Sequence, residues 1–223
     1  EYLAFPVTGL SLKPDSLSFT EAAAVGVPYI TAMEALDRSG VKKNTRLLVI
    51  GAAGAVGSAA IALATQRGAK ILAAVRKPAQ QAALQAQGID SILLTDEASL
   101  AGDVEKHFAG GADSVFDTTG FWLAGAVSAL HLYGTVAVIA APFARMAEFP
   151  LLDFYRRGAN IVGINSLLHD LPTSAIMLDQ LRAMFDAGMT KPGNLRECHL
   201  SDGIRVYRDV DSGCSEKCVF VMG

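Results

Sequence analysis

The segment Arg46-Leu47-Leu48-Val49-Ile50-Gly51-Ala52-Ala53-Gly54-Ala55-Val56-Gly57-Ser58 constrains the fold more than any other stretch. Leu47 to Ile50 form a short unbroken apolar run, which suits a strand buried on both faces of a parallel sheet. Three glycines at spacings of three follow, and a helical run begins over Ala59 to Ala64. A strand, a tight glycine turn and a helix start together make an anion site. Unpaired N–H groups and the positive end of the helix dipole face the ligand, and glycine lets a diphosphate come close to the backbone. The dinucleotide spacing Gly-x-Gly-x-x-Gly is met as Ala52-x-Gly54-x-x-Gly57, with alanine at the first glycine position. A plain packing turn could use the same glycines, so the flanking chain has to decide.

From Arg46 onward, strands and helices alternate. Strands are expected at Leu47–Ile50, Lys70–Val75, Ser91–Leu94, Ser114–Asp117, Thr135–Ala140 and Asn160–Gly163. Helices are expected between the first five, at Val56–Arg67, Pro78–Gln87, Ala101–Phe108 and Phe121–Leu130. Gly68, Gly88, Gly110-Gly111 and Gly134 fall where those helices should stop, as C-capping glycines do. This alternation on short loops predicts an α/β fold with a doubly wound parallel sheet and right-handed crossovers. Upstream, Glu1 to Pro6 reads as extended, and Ser18 and Glu21 are spaced as a capping box that opens a helix. Thr31 to Leu36 reads as another helix, ending before Gly40. The link from Ala140 to Asn160 carries Pro142 and Pro150 and cannot be one continuous helix. Beyond it come a helix over Thr173 to Ala187, a loop through Lys191-Pro192-Gly193 and a strand over Lys217 to Met222.

Composition narrows the partners. A chain of 223 residues, 51% of them hydrophobic, can bury one large core. No uninterrupted apolar run reaches the length of about 18 residues that a membrane span needs. A net charge of −3 without a basic stripe gives no reason to expect nucleic acid. Glu1 opens the chain with neither the basic nor the apolar stretch of a secretory leader. Cys198, Cys214 and Cys218 are an odd set without a metal-binding companion cluster, and they read as free thiols in a reducing cytoplasm.

The tip of the second strand selects the nucleotide. An NAD site usually places an Asp or Glu there, about 20 residues past the glycines, to bind the ribose 2′-hydroxyl. Here Ile71 to Val75 is followed by Arg76-Lys77. A guanidinium can grip a 2′-phosphate through two charge-assisted hydrogen bonds, which favours NADP(H) over NAD(H). The missing carboxylate also counts against a methyltransferase that binds S-adenosylmethionine. No Tyr-x-x-x-Lys pair, no Gly-x-Ser-x-Gly and no Walker lysine occur, so short-chain dehydrogenase, hydrolase and triphosphatase chemistry are not expected. His107, His131, His169 and His199 are scattered and read as surface or packing residues. Asp117, at a strand end near Gly120, reads as a positioning residue rather than a base, and Trp122 reads as packing at a helix start.

The chain resembles the later two thirds of a medium-chain dehydrogenase/reductase, closest to the zinc-independent quinone oxidoreductase branch. The resemblance rests on Leu17-Ser18-Phe19-Thr20-Glu21-Ala22-Ala23-Ala24, on Leu48 to Gly57, and on Phe116-Asp117-Thr118-Thr119-Gly120. Gly134-Thr135-Val136 and Glu216-Lys217-Cys218-Val219 add to it. It implies that Ala53, Gly54, Ala55, Val56 and Gly57 cradle the pyrophosphate while Arg76 and Lys77 hold the 2′-phosphate. It further implies Thr118 at the adenosine ribose, and Ile139, Ala140 and Ala141, at the end of the fifth strand, beside the nicotinamide. Asn165 would lie near the carboxamide, and Thr31, opening a helix, near the nicotinamide ribose.

Two departures follow from the same resemblance. Gln80 stands where the family often has a further phosphate-binding lysine. The family's N-terminal β-barrel is represented only by remnants at the chain ends: a final strand (Glu1 to Pro6) and a carboxyl-terminal strand (Val219 to Met222). The expected organisation is therefore a remnant and linker over 1–20, an NADP-binding domain over 21–190 and a returning tail over 191–223. Val27 falls where zinc-dependent members supply a cysteine ligand, so no zinc is expected. The implied activity is hydride transfer between NADPH and a quinone, carbonyl or activated alkene. The alternatives are a zinc-type alcohol dehydrogenase, an enoyl reductase, or a nucleotide-binding fragment without turnover. A homodimer is expected, paired near Asn160 to Leu168.

Overall fold

The computed structural model describes residues 3–141, 146–214 and 216–222. Glu1, Tyr2 and Pro142, which figure in the expectations above, lie outside the described residues. The chain divides into two compact units, Thr31–Asn165 and a second one of Glu1–Ile30 with Ser166–Gly223.

The larger unit is a six-stranded sheet in the order β3-β2-β1-β4-β5-β6, with every neighbouring pair parallel. Its strands are β1 (Arg46–Ile50), β2 (Lys70–Val75), β3 (Asp90–Leu93), β4 (Ala112–Asp117), β5 (Leu130–Val138) and β6 (Asn160–Gly163). The connecting helices are α3 (Ala55–Gln66), α4 (Pro78–Ala86), α5 (Leu100–His107), α6 (Leu123–Ser128) and α7 (Leu151–Arg156). Leu47, Leu48, Val49 and Ile50 are fully buried, as expected of a central strand covered on both faces. One apolar cluster joins Leu48, Ile50 and Leu72 to Leu100, Val104 and Val127 from the helices. The order 3-2-1-4-5-6 puts the reversal of winding between β1 and β4, and open α/β sheets bind ligands beyond the strand ends at that place.

Several boundaries differ from expectation, each for a physical reason. The helix expected over Thr31–Leu36 is α2 (Gly26–Arg38), so Thr31 lies inside it and does not open it. Pro28 falls in its first turn, where a missing N–H costs nothing, and is not a boundary. Gly134 is no helix cap. α6 stops at Ser128, and β5 already runs from Leu130 with a register shift opposite Ala112/Ser114. Within that shift Tyr133 has φ 62°. A side chain on Gly134 would come within 2.9 Å of Leu130 and 3.1 Å of the Ala112 carbonyl. β5 ends at Val138, so Ile139 and Ala140 lie just past the strand and not within it.

The smaller unit contains α1 (Phe19–Ala23), α8 (Leu171–Asp186), β7 (Leu195–His199), α9 (Gly203–Asp211) and β8 (Lys217–Val221). The capping box at Ser18 forms as read: the Ser18 hydroxyl accepts from Glu21 N, and Ser18 N donates to the Glu21 carboxylate. Tyr29 and Phe185 pack with ring centroids 5.1 Å apart. β7 and β8 pair in parallel, and α9 supplies the crossover that such a pair requires. α9 escapes the sequence reading because its residues are largely exposed, and β7 because its five residues hold no apolar run, only Leu195 and the buried Cys198 between polar residues. Arg196 in β7 is stable there because Asp209 Oδ2, 3.0 Å away, and Cys218 Sγ, 3.3 Å away, accept from its guanidinium. Leu3–Pro6 forms no strand, since among the described residues no ladder partner flanks it.

Candidate functional site

The turn after β1 is built by glycines with different jobs. Gly51 takes φ 77° and turns the chain, so the tight-turn glycine sits one position before the alanine aligned with the motif. Gly51 N and Ala52 N both donate to the Ala74 carbonyl of β2, at 3.1 and 3.2 Å, and Gly54 N closes the turn on the Gly51 carbonyl at 2.9 Å. Gly57 is needed for packing. A methyl there would run into the Gly51 carbonyl oxygen and lie 2.8 Å from Ala52 Cα. Gly54 differs from both. It is the N-cap of α3 with φ −78° and ψ 171°, a conformation open to any residue, and a methyl on it would meet only the Gly51 carbonyl, at 3.2 Å. The fold constrains this exposed position least of the three, asking only that the Gly51 carbonyl give by a few tenths of an ångström, whereas a ligand lying against the backbone would favour glycine more strongly.

α3 also has no side-chain N-cap and no acid in its first turn. Its leading N–H groups and dipole are therefore uncompensated by the protein, which is the condition for binding an anion. These features fit a diphosphate.

The β4 end lies directly beside this turn, with Ile50 opposite Asp117. Thr118 N and Thr118 Oγ1 both donate to the Ile50 carbonyl, at 3.2 and 2.8 Å. A side chain on Gly51 would strike Thr118 Oγ1 and come within 2.8 Å of Thr119 Cγ2. Asp117 is fully buried. Its Oδ1 accepts from Thr119 N at 2.8 Å, Thr119 Oγ1 at 2.8 Å and Gly120 N at 3.1 Å. Its Oδ2 accepts from Trp122 N at 3.2 Å. Glu97, from the loop after β3, accepts from Gly125 N in the first turn of α6 at 2.9 Å. Asp117 is thus held by four donors away from solvent, in keeping with a positioning role.

The sheet register brings most of the residues expected at the site to one edge. Ala53 to Gly57 and Thr118 meet through Gly51. Arg76 and Lys77 are exposed, two and three residues past Ala74, the partner of Ile50. Gln80 Oε1 accepts from Lys77 N at 3.3 Å and caps α4. Ile139, Ala140 and Ala141 follow Val138, which pairs with both Asp117 and Gly163, and Asn165 is two residues past Gly163. Thr31 is not at a strand tip: it is 6% exposed inside α2, seven residues before Arg38, whose guanidinium donates to the Gly163 carbonyl at 2.5 Å. Gly51 and Thr119 stand in motifs read from the sequence but carry no individual role there, and Glu97 is not read from it at all. The Asp-Thr-Thr-Gly run carries the signature of an Asx-type turn, whereas Glu97 acts on a residue 28 positions away and leaves no local trace.

Among the described residues no group of three or more His, Cys, Asp or Glu side chains could hold a metal ion. Val27 sits in the first turn of α2.

Fold and strand-end turns together define the class, a doubly wound α/β domain of the Rossmann type. Residues 55–180 match the zinc-binding dehydrogenase family. A zinc-type alcohol dehydrogenase-like protein of Schizosaccharomyces pombe is 35% identical over 229 aligned positions, covering all of this chain and 67% of that protein. Human quinone oxidoreductase is 35% identical over 95 residues, 42% of this chain and 29% of that protein. The crystal structure of an alcohol dehydrogenase superfamily protein from Novosphingobium aromaticivorans matches with a TM-score of 0.80 at 26% identity, over 91% of this chain and 62% of that one. The chain belongs to the zinc-binding dehydrogenase family, within the medium-chain dehydrogenase/reductase superfamily of nicotinamide-dependent oxidoreductases. It spans about two thirds of the length of the fission-yeast and Novosphingobium proteins.

Proposed function

We propose that this chain is the nucleotide-binding part of an NADP(H)-dependent, zinc-independent oxidoreductase acting on a quinone, carbonyl or activated alkene. The observation that carries the reading is the uncapped glycine turn at the β1/β4 switch point, next to a β2 tip that ends in two cations and no acid. Ala53 to Gly57 would hold the diphosphate, Arg76 and Lys77 the 2′-phosphate, and Thr118 the adenosine ribose. Ile139, Ala140, Ala141 and Asn165 would line the nicotinamide end, with Thr31 near its ribose. The bound cofactor would supply the hydride chemistry, and the residues named here would bind and orient it. Val27 in place of a ligating cysteine supports action without zinc.

The test is direct. Replacing Arg76 with Asp and Lys77 with Ala should weaken NADPH by on the order of 100-fold, since each charge-assisted hydrogen bond contributes about 1.5–3 kcal/mol. NADH should change little. Titration followed by nicotinamide fluorescence reads both, and an unchanged NADPH:NADH ratio would refute the phosphate assignment.

The likeness to the fission-yeast protein over the whole chain favours a zinc-type alcohol dehydrogenase as the second reading. Metal content and a substrate panel that includes enones and enoyl thioesters would separate the two. Binding of NADPH without turnover would leave a nucleotide-binding fragment. A homodimer through the β6 edge and a cytoplasmic location belong to the same proposal. β6 has one ladder neighbour among the described residues, and Leu167 and Leu168 just beyond it are 84% and 83% exposed. No helix among the described residues is long and apolar enough to cross a membrane.

A further inference from the structure

Asp117 faces inward, accepts four hydrogen bonds and reaches no solvent, yet it is connected step by step to the backbone offered for the diphosphate. Its Oδ1 fixes the Thr119 amide, the Thr119 hydroxyl and the Gly120 amide in one bend. The Thr119 hydroxyl in turn accepts from Phe121 N at 3.3 Å. That bend places Thr118 Oγ1 and Thr119 Cγ2 against the side of Gly51 where a Cβ would otherwise point. Gly51 then presents its carbonyl to Gly54 N, and the same carbonyl sits against the bare Cα face of Gly57. The links are a buried carboxylate, two threonines whose side chains fill the space a Cβ on Gly51 would take, and a turn whose other side is bound to Ala74.

The geometry points to Asp117 as a positioning residue for the nucleotide. It touches no ligand. Through Thr118 and Thr119 it sets the angle at which the Gly51–Gly57 turn presents its N–H groups. This rests on the dinucleotide reading above and extends it to a residue one strand away. The argument is one of preorganisation. A turn already held at the binding angle has less ordering to undergo when the ligand arrives, so loosening it lowers affinity without removing any contact. Because the route runs to the diphosphate segment and not to the β2 tip, loosening it should weaken every diphosphate ligand alike and leave the choice between NADPH and NADH untouched.

The variants are Asp117→Asn, Thr119→Val and Thr119→Ser. Asparagine keeps one acceptor oxygen but puts an NH2 where Oδ2 accepts from Trp122 N. Valine removes the hydroxyl that Asp117 binds, and serine restores it. Dissociation constants for NADPH, NADH and ADP are measured by calorimetry well below each melting midpoint, where the folded fraction is complete and general destabilisation does not enter. Asp117→Asn and Thr119→Val should weaken all three ligands by a common factor of about tenfold or more, with the NADPH:NADH ratio as in the parent, and Thr119→Ser, which restores the hydroxyl but lacks the Cγ2 beside Gly51, should recover part of the loss. Trp122, the single tryptophan of the chain, reports the bend directly, so its ligand-free emission should shift in Asp117→Asn. Should Asp117→Asn not fold, the Thr119 pair carries the test. Parent-like affinities in the folded Asp117→Asn and Thr119→Val proteins would overturn the positioning role alone. An unmodified protein that binds neither ADP nor NADPH would overturn the dinucleotide reading as well.

Discussion

Two helix starts sit side by side at the carboxyl edge of the sheet, one after β1 and one after β4, and they are finished in opposite ways. The start of α6 is served by two carboxylates of the protein itself: Asp117 takes the amide of the N-cap residue Trp122, and Glu97 takes the Gly125 amide. The start of α3 has no capping side chain and no acid in its first turn, and its cap residue is a glycine that the backbone does not require. The same local need, acceptors for orphan N–H groups, is met internally in one case and left for an external anion in the other. The difference separates a turn that serves the fold from a turn that serves a ligand. It also shows why a helix start next to a strand says little until its acceptors have been traced.

Gly57→Ala should have the largest effect, because the intruding methyl meets backbone on two sides and the helix must move. Overpacking of this kind costs about 1–3 kcal/mol. Denaturant unfolding should show that loss, and dinucleotide binding should disappear with it. Gly54→Ala is the sharper experiment. Stability should stay within about 0.5 kcal/mol of the parent, while affinity for ADP falls by on the order of tenfold or more. Equal affinity would mean that Gly54 is as structural as Gly57, and the contrast between the two turns would lose its main support. Glu97→Ala tests the closed turn. Removing a helix-capping acceptor costs about 1 kcal/mol, and nucleotide affinity should change less than stability does.

Much of this was legible in the chain itself. The central strands β1, β2 and β4 appear at or near the expected positions because strands buried on both faces cannot hide their composition, and the more exposed β3, β5 and β6 because short apolar stretches near glycines mark them. The three features of the site that depend on spacing, the glycine turn, the basic β2 tip and the Asp-Thr-Thr-Gly bend, were visible for the same reason. What failed was what tertiary contact decides. Gly134 looks like a helix stop, but it exists to let β5 pass Leu130 and Ala112. Thr31 looks like a helix start, but the helix opens at Gly26, and Pro28 in its first turn interrupts nothing. Leu195–His199 looks like a loop, and it becomes a strand only because Lys217–Val221 supplies a ladder and Asp209 accepts from Arg196.

The smallest expected effect lies at the other end of the same two strands. Arg46 opens β1 and binds Asp113 near the start of β4: Arg46 N donates to Oδ2 at 2.9 Å, Nε to Oδ2 at 3.2 Å and Nη2 to Oδ1 at 2.5 Å. Asp113 is four residues before Asp117, about 13 Å away at a rise of roughly 3.3 Å per residue. β1 and β4 are thus tied at both ends, by an ion pair at one and by Thr118 on the Ile50 carbonyl at the other. Burial pushes the Asp113 carboxyl up, but hydrogen bonds and charge from Arg46 outweigh it and leave it below the usual carboxylate range. A depressed value in the folded state means that the stabilisation is present above the unfolded value of about 3.9. It is lost as the pH falls through the lower folded value. The pair is partly exposed, so Asp113→Asn should cost only about 0.5 kcal/mol at neutral pH. The gap between parent and variant melting midpoints should close as the pH drops below about 3.9. NADPH affinity should match the parent throughout. If Asp113→Asn weakened NADPH as much as Asp117→Asn, the effect of Asp117 would reflect general loosening of β4, and the bend after it would lose its special standing.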